Sequence, residues 1–298
     1  MGRNYAPRYL LVALHQQACS QGESKLLLKN TNNSKGNEMA LINYVTQIQF
    51  DFGAASLLQQ ECDRLGIRHP MVVTDAGVRA AGIVDQVLKH LRDPNPAIYD
   101  QTPPNPNEAA VGFDGLIAIG GGSSIDLAKG VAICGTHEGS LKSFAVVEGG
   151  SERITAATAP VIAIPTTAGT GSEVGRGAIL ILEDGRKVGL LSPHLVPKSA
   201  ICDPELTLSL PAQMTAATGM DALSHCLETF MSAAFNPPAD GIALDGLRRG
   251  WLNIERATRN PGDREARMNM MSASMQGAMA FQKGLGCVHS LSHSLGGI

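Results

Sequence analysis

The sequence has no apolar run approaching the ~20 residues that a membrane-spanning helix needs, so no membrane partner is expected. Cysteine is sparse: Cys19, Cys62, Cys134, Cys202, Cys226 and Cys287 lie scattered, with no C-x-x-C pair. That argues against a disulfide framework or a zinc knuckle and leads to the expectation of a reduced, cytoplasmic protein. Charge is thin as well, with 17% charged residues and 24 basic against 27 acidic side chains, a net −3. Such a balance is too mild for a nucleic-acid binder or an acidic tail. What is present is 44% hydrophobic residues, enough for a sizeable core, and 33 glycines in 298 residues. Glycine at that level points to tight turns or close backbone approaches.

Residues 1–38 read differently from the rest. The apolar stretch 9–14 is at the short limit for a signal peptide, and no small-x-small site follows it cleanly. Arg3 and Arg8, with no acid before Glu23, give at most a faint transit-peptide character. The Asn/Ser/Lys-rich residues 30–37 have linker chemistry. A flexible extension that does not carry the fold is expected for 1–38.

From Met39 to Cys202 short β-branched runs alternate with helical ones. Strands are predicted at 71–74, 116–119 and 161–164, each a continuous apolar run closed by Asp, Gly or Pro, as in a parallel sheet covered on both faces. Helices are predicted at 53–65 and 77–90. The alternation implies an α/β domain, 39–202, with ligands outside the C-terminal strand ends. Beyond Asp203-Pro204 there is no convincing strand, and Ala/Met/Leu-rich helices are predicted at 212–231, 239–258 and 264–281, making 203–298 a helical domain. The stretch 100–115, with Pro103, Pro104 and Pro106, does not fit, because a crossover between parallel strands normally carries a helix.

Two loops at predicted strand ends carry ligand chemistry. In GGGSSIDLAK (120–129), Gly120, Gly121 and Gly122 let backbone N–H groups approach an anion, and the helix that follows offers its N-terminus to a pyrophosphate. Ser123 or Ser124 can cap that helix. The spacing is not that of a G-x-G-x-x-G fingerprint, and a plain glycine turn fits equally well. PTTAGTGSE (165–173) adds hydroxyls from Thr166, Thr167 and Thr170 beside two glycines. Two such loops suggest one crevice for a dinucleotide-sized ligand. Asp75, closing the first of these strands, suits either a ribose, favouring NAD over NADP, or a helix N-cap.

In the helical half Asp221 and His225 are spaced i, i+4, as are His289 and His293. Each pair shares a helix face. A carboxylate with imidazoles on neighbouring helices suits a divalent iron or zinc site with open positions.

These strings, with DPEL (203–206), TGMDALSH (218–225) and GLGCVHSLSHSLGG (284–297), resemble the group III, iron-dependent alcohol dehydrogenase family in order and spacing over residues 39–298. The resemblance implies a Rossmann-like α/β N-terminal domain, an all-helical C-terminal domain of dehydroquinate synthase-like architecture, and a cleft between them. It places NAD along Gly120, Gly121, Gly122, Ser123 and Asp126, with Thr166, Thr167 and Thr170, Asp75 at the ribose and Lys187 nearby. It makes Asp221, His225 and His289 the metal ligands, Fe2+ first and Zn2+ as alternative, and His293 a proton relay. Stretches such as 42–54, 137–150, 236–251 and 270–293 most resemble members that oxidise 4-hydroxybutyrate to succinate semialdehyde, and Lys283 is a candidate for the substrate carboxylate. A neutral alcohol such as 1,3-propanediol or lactaldehyde is the alternative substrate. An inactive, NAD-binding remnant is a second reading and a carbon–oxygen lyase a distant third. A homo-oligomer is expected from the resemblance alone. The family has a further histidine beyond His293 and a full helix before its glycine-rich strand. The chain is therefore expected to be C-terminally incomplete, one metal ligand short and without that crossover helix.

Overall fold

A computed structural model describes residues 46–100, 112–182 and 185–295, with the backbone alone for 293–295. The extension 1–38 and the crossover residues 101–111 lie outside the described residues. Six parallel strands form the main sheet: β1 (Gln47–Phe50), β2 (Pro70–Val73), β3 (Ala97–Tyr99), β4 (Gly115–Gly120), β5 (Val161–Pro165) and β8 (Ser199–Cys202), in the order β1-β8-β5-β4-β2-β3. A separate antiparallel pair is made by β6 (Gly177–Ile181) and β7 (Lys187–Leu191).

The continuous apolar runs form the buried strands because both sheet faces are covered. In β4, Ile117 and Ile119 pack with Leu58, Cys62, Val84 and Val87 on one face. Leu116 and Ala118 meet Ile125, Ala128, Val131 and Ala132 on the other. The covering helices are α1 (Leu58–Leu65), α2 (Ala76–Ala80), α3 (Ile83–Leu88) and α4 (Gly122–Cys134). The predicted helix 53–65 starts as a 3-10 turn, Ala54–Leu57, before α1. The predicted helix 77–90 is two helices, because Gly82 at φ 74° breaks the ladder between α2 and α3.

Strand order also locates a crevice. From β2 the chain goes to β3 on one side of β2 and then to β4 on the other, both parallel to β2. The C-terminal ends of β2 and β4 therefore lie at a topological switch point, where open α/β sheets bind ligands. Asp75 follows β2, and Gly120 ends β4.

Beyond β8 every regular element among the described residues is helical: a 3-10 turn at Pro204–Thr207, then α5 (Ala212–Met231), α6 (Pro237–Arg259), α7 (Arg264–Ala280), a 3-10 turn at Phe281–Lys283, and α8 (Cys287–Leu295). Asn236 and Asp263 cap α6 and α7 by accepting from Ala239 N and Ala266 N. Helices α5, α6 and α7 pack on one another, and Met270, Met271, Ala257 and Ala266 meet Ala200, Cys202 and Ala168 of the sheet half.

Candidate metal centre and nucleotide crevice

The Asp221 and His225 side chains project from one face of α5 towards α8, which carries His289. One ligand atom from each of Asp221, His225 and His289 lies within 4.8 Å of the others. His289 Nε2 is 3.5 Å from Asp221 Oδ1, and His225 Nε2 is 3.9 Å from the same oxygen. The two imidazoles stack at 4.4 Å between centroids and 18° between planes, and both are buried. Burial holds the His225 pKa below its ordinary value, against the pull of Asp221. The Asp221 carboxylate, against burial and with help from Glu228, holds that of His289 above it. Two imidazole nitrogens and a carboxylate oxygen aimed at one point form a donor set for divalent iron or zinc, which bind such ligands at about 2.0–2.2 Å. These residues fit the expected metal.

His225 is held by packing, between His289 and the Phe281 ring at 5.2 Å, and its buried Nδ1 has no hydrogen-bond partner. His289 is held differently. Its Nδ1 lies 2.6 Å from Glu228 Oε2. Glu228 is also buried and was not singled out from the sequence. The available signal is its position seven residues beyond Asp221 and three beyond His225, on the same helix face.

The glycine loop and the Thr-rich loop meet. Thr166 N donates to Gly120 O at 3.0 Å. A Cβ on Gly122 would stand 2.6 Å from the Thr170 side chain, so glycine is what lets the loops close on each other. The same loop reaches the helical half: a Cβ on Gly169 would be 2.7 Å from Thr218 Cβ, and one on Gly171 would be 2.2 Å from Ala278 Cβ. Gly121 is the N-cap of α4, with no side-chain cap; Ser124 instead donates to Asp75 Oδ2 at 3.0 Å, and Ser123 is exposed in the first turn. The cap expected from Ser123 or Ser124 is thus not made. Asp75 Oδ1 accepts from Val78 N at 2.9 Å, so Asp75 is an N-cap that also adjoins the glycine loop.

Asp126 and Lys283 are engaged within the protein, and Lys187 lies off the main sheet. Asp126 accepts from Ser172 Oγ at 2.5 Å and from Ile179 N at 2.8 Å, so its carboxylate ties α4 to the Thr-rich loop and to β6 rather than facing a cofactor. Lys187 is exposed at the start of β7, on the antiparallel pair outside the main sheet. Lys283 is buried, with Nζ 2.5 Å from Asp240 Oδ1 and 3.2 Å from Phe230 O, so its charge fastens α6 to the end of α5 and is not offered to a substrate. The side chain of His293 lies outside the described residues.

Lys129, overlooked in the motif, is fully buried, and its three N–H donors are shared among Ser172 O, Ser172 Oγ, Gly175 O and Gly177 O, each 2.7–3.0 Å from Nζ. Near it Glu173 is buried, and burial pushes its carboxyl up to about 7 despite the Lys129 charge. The native state then keeps a proton that the unfolded chain releases near 4.5, so stability falls as pH rises from 4.5 through 7. The span corresponds to roughly 3 kcal/mol. Glu173→Gln is expected to flatten that fall; equal pH dependence of the urea midpoint in parent and variant would contradict it.

Residues 45–204 match the family model described as iron-containing alcohol dehydrogenase, and residues 215–298 match the C-terminal model of the Fe-containing alcohol dehydrogenase family. A 4-hydroxybutyrate dehydrogenase of Cupriavidus necator is 66% identical over 270 residues, covering 87% of this chain and 71% of the relative. The crystal structure of a 1,3-propanediol oxidoreductase superposes with TM-score 0.81 at 35% identity, over 87% of this chain and 71% of that one. A sulfoacetaldehyde reductase from Bifidobacterium kashiwanohense, solved in complex with NAD+, superposes with TM-score 0.79 at 29% identity, over 87% and 72%.

Proposed function

The chain belongs to the iron-containing alcohol dehydrogenase family, and from that premise we propose that it oxidises 4-hydroxybutyrate reversibly to succinate semialdehyde with NAD. The observation that carries the reading is the convergence of Asp221, His225 and His289 beside a loop that packs on the glycine turn of the sheet half. The 66% identical relative supports 4-hydroxybutyrate as the substrate. The reductase solved with NAD+ supports the cofactor.

Asp221, His225 and His289 would hold the divalent cation, with Fe2+ proposed and Zn2+ the alternative. The cation supplies a Lewis acid that lowers the pKa of the substrate hydroxyl, and NAD supplies the hydride acceptor. Gly120, Gly121, Gly122 and Ser123 present the uncapped N-terminus of α4 to a pyrophosphate. Asp75 accepts from a ribose hydroxyl, and its charge disfavours a 2′-phosphate. Thr166, Thr167 and Thr170 line the opposite side of the crevice. The hydroxyl proton would leave through the ribose 2′-hydroxyl or through His293, four residues past His289. No helix among the described residues is long and apolar enough to cross a membrane. A cytoplasmic homo-oligomer is part of the proposal.

The test loads the chain with Fe2+ or Zn2+ and NAD, then compares 4-hydroxybutyrate, 1,3-propanediol and 1-butanol. A kcat/KM at least tenfold higher for 4-hydroxybutyrate is expected. Equal turnover of 1,3-propanediol would favour a neutral-alcohol dehydrogenase. NAD binding without metal binding would favour a non-catalytic remnant.

A further inference from the structure

We propose that Glu228 is the positioning residue of the metal centre, setting both the tautomer of His289 and the start of the helix that carries it. The inference rests on the metal reading above and adds a residue that the ligand set does not contain.

Glu228 sits on α5 in line with Asp221 and His225, and four N–H groups of one distant segment converge on its carboxylate. Val288 N is 2.6 Å from Oε1; Gly286 N, His289 N and His289 Nδ1 are 3.1, 3.3 and 2.6 Å from Oε2. The three backbone N–H groups can only donate, which makes this carboxylate an acceptor, so Nδ1 of His289 is the ring nitrogen that turns an N–H towards it. Nε2 is then the ring nitrogen on the Asp221 side, 3.5 Å from its Oδ1, and is the one that a cation would take. Outer carboxylates of this kind orient a ligating imidazole and raise its basicity.

Three of the four donors are backbone groups at the N-terminus of α8, which a helix cannot satisfy internally. Glu228 meets them from another helix, and its charge opposes the positive end of the α8 dipole. The approach is close enough to constrain the sequence: a Cβ on Gly286 would stand 2.9 Å from Glu228 Oε1. The imidazole of His225 has no comparable partner on its Nδ1. Removing Glu228 therefore loosens one ligand of the three and leaves the other two seated.

The test measures Co2+ and Zn2+ affinity by competition with a chromophoric chelator, together with the Co2+ absorption spectrum. Glu228→Gln keeps the shape but turns an amide towards some of these donors. A 10- to 100-fold loss of affinity and an altered Co2+ spectrum are expected. In a His289→Ala background the same change should cost less than twofold, because its effect runs through the imidazole. Parent-like affinity in Glu228→Gln, or an equal loss in both backgrounds, would overturn the proposal. If Glu228→Gln does not fold, Gly286→Ala leaves every ligand in place and presses on the carboxylate. At least a fivefold loss is expected there, and parent-like binding overturns the assignment. Failure of the parent chain to bind either ion would instead sink the metal reading itself.

Discussion

His225→Ala is expected to lower the affinity for Fe2+, Co2+ or Zn2+ by more than 100-fold, beyond the 10–100-fold typical of losing an outer partner. The imidazole supplies one of three converging donors and is buried against Phe281 and His289, so no solvent group replaces it at the same point. A ligand that binds only the native state stabilises it by RT ln(1 + [L]/Kd), about 2.7 kcal/mol at a hundred times Kd. The parent should therefore show a metal-dependent rise in Tm that the variant lacks at the same metal concentration. Any alcohol oxidation by the parent should disappear with it. A variant that keeps the metal-induced Tm shift would place the cation elsewhere.

Lys129→Met is expected to cost about 3–5 kcal/mol in unfolding free energy, the range seen when one partner of a buried charged network is removed. The methionine fills the volume but donates nothing, which takes the ammonium away from the carbonyls of Gly175 and Gly177 and leaves that of Ser172 with only Gly175 N. It also leaves Asp126, whose carboxyl burial pushes up, without the nearby ammonium 3.8 Å away. Burial lowers the Lys129 ammonium to about 8, with Asp126 and Glu173 opposing that shift. Because the groups that this ammonium bonds hold the loop that touches Thr170, Gly169 and Gly171, NAD affinity should fall together with stability. A urea midpoint within 1 kcal/mol of the parent would refute this account.

The strands that sequence patterning revealed are continuous apolar runs buried on both faces; β8 is equally buried, but Ser199 and Cys202 leave it without such a run. Residues 116–119 and 161–164 are continuously apolar because helices cover either side of the sheet. β1 is interleaved with Gln47 and Gln49, which donate to Glu61, so it lacks that signature. β6 and β7 alternate between buried and exposed positions as a two-stranded pair and were missed for the same reason. Asp221, His225 and His289 were legible because paired ligands on a helix leave an i, i+4 trace. Glu228 lay on the same face, yet its partners are about sixty residues downstream, and spacing cannot report a contact made across that distance. The partners of Asp126 and Lys283 were hidden for a related reason: each carries a charge beside a motif, and only the fold shows that it bonds with Ser172 and Ile179 or with Asp240.

The contacts of Gly169 with Thr218 and of Gly171 with Ala278 have a mechanical consequence. Main chain lies against a helix there, without flexible side chains that could absorb sliding. Levering the sheet half away from the bundle would therefore have to release both positions together.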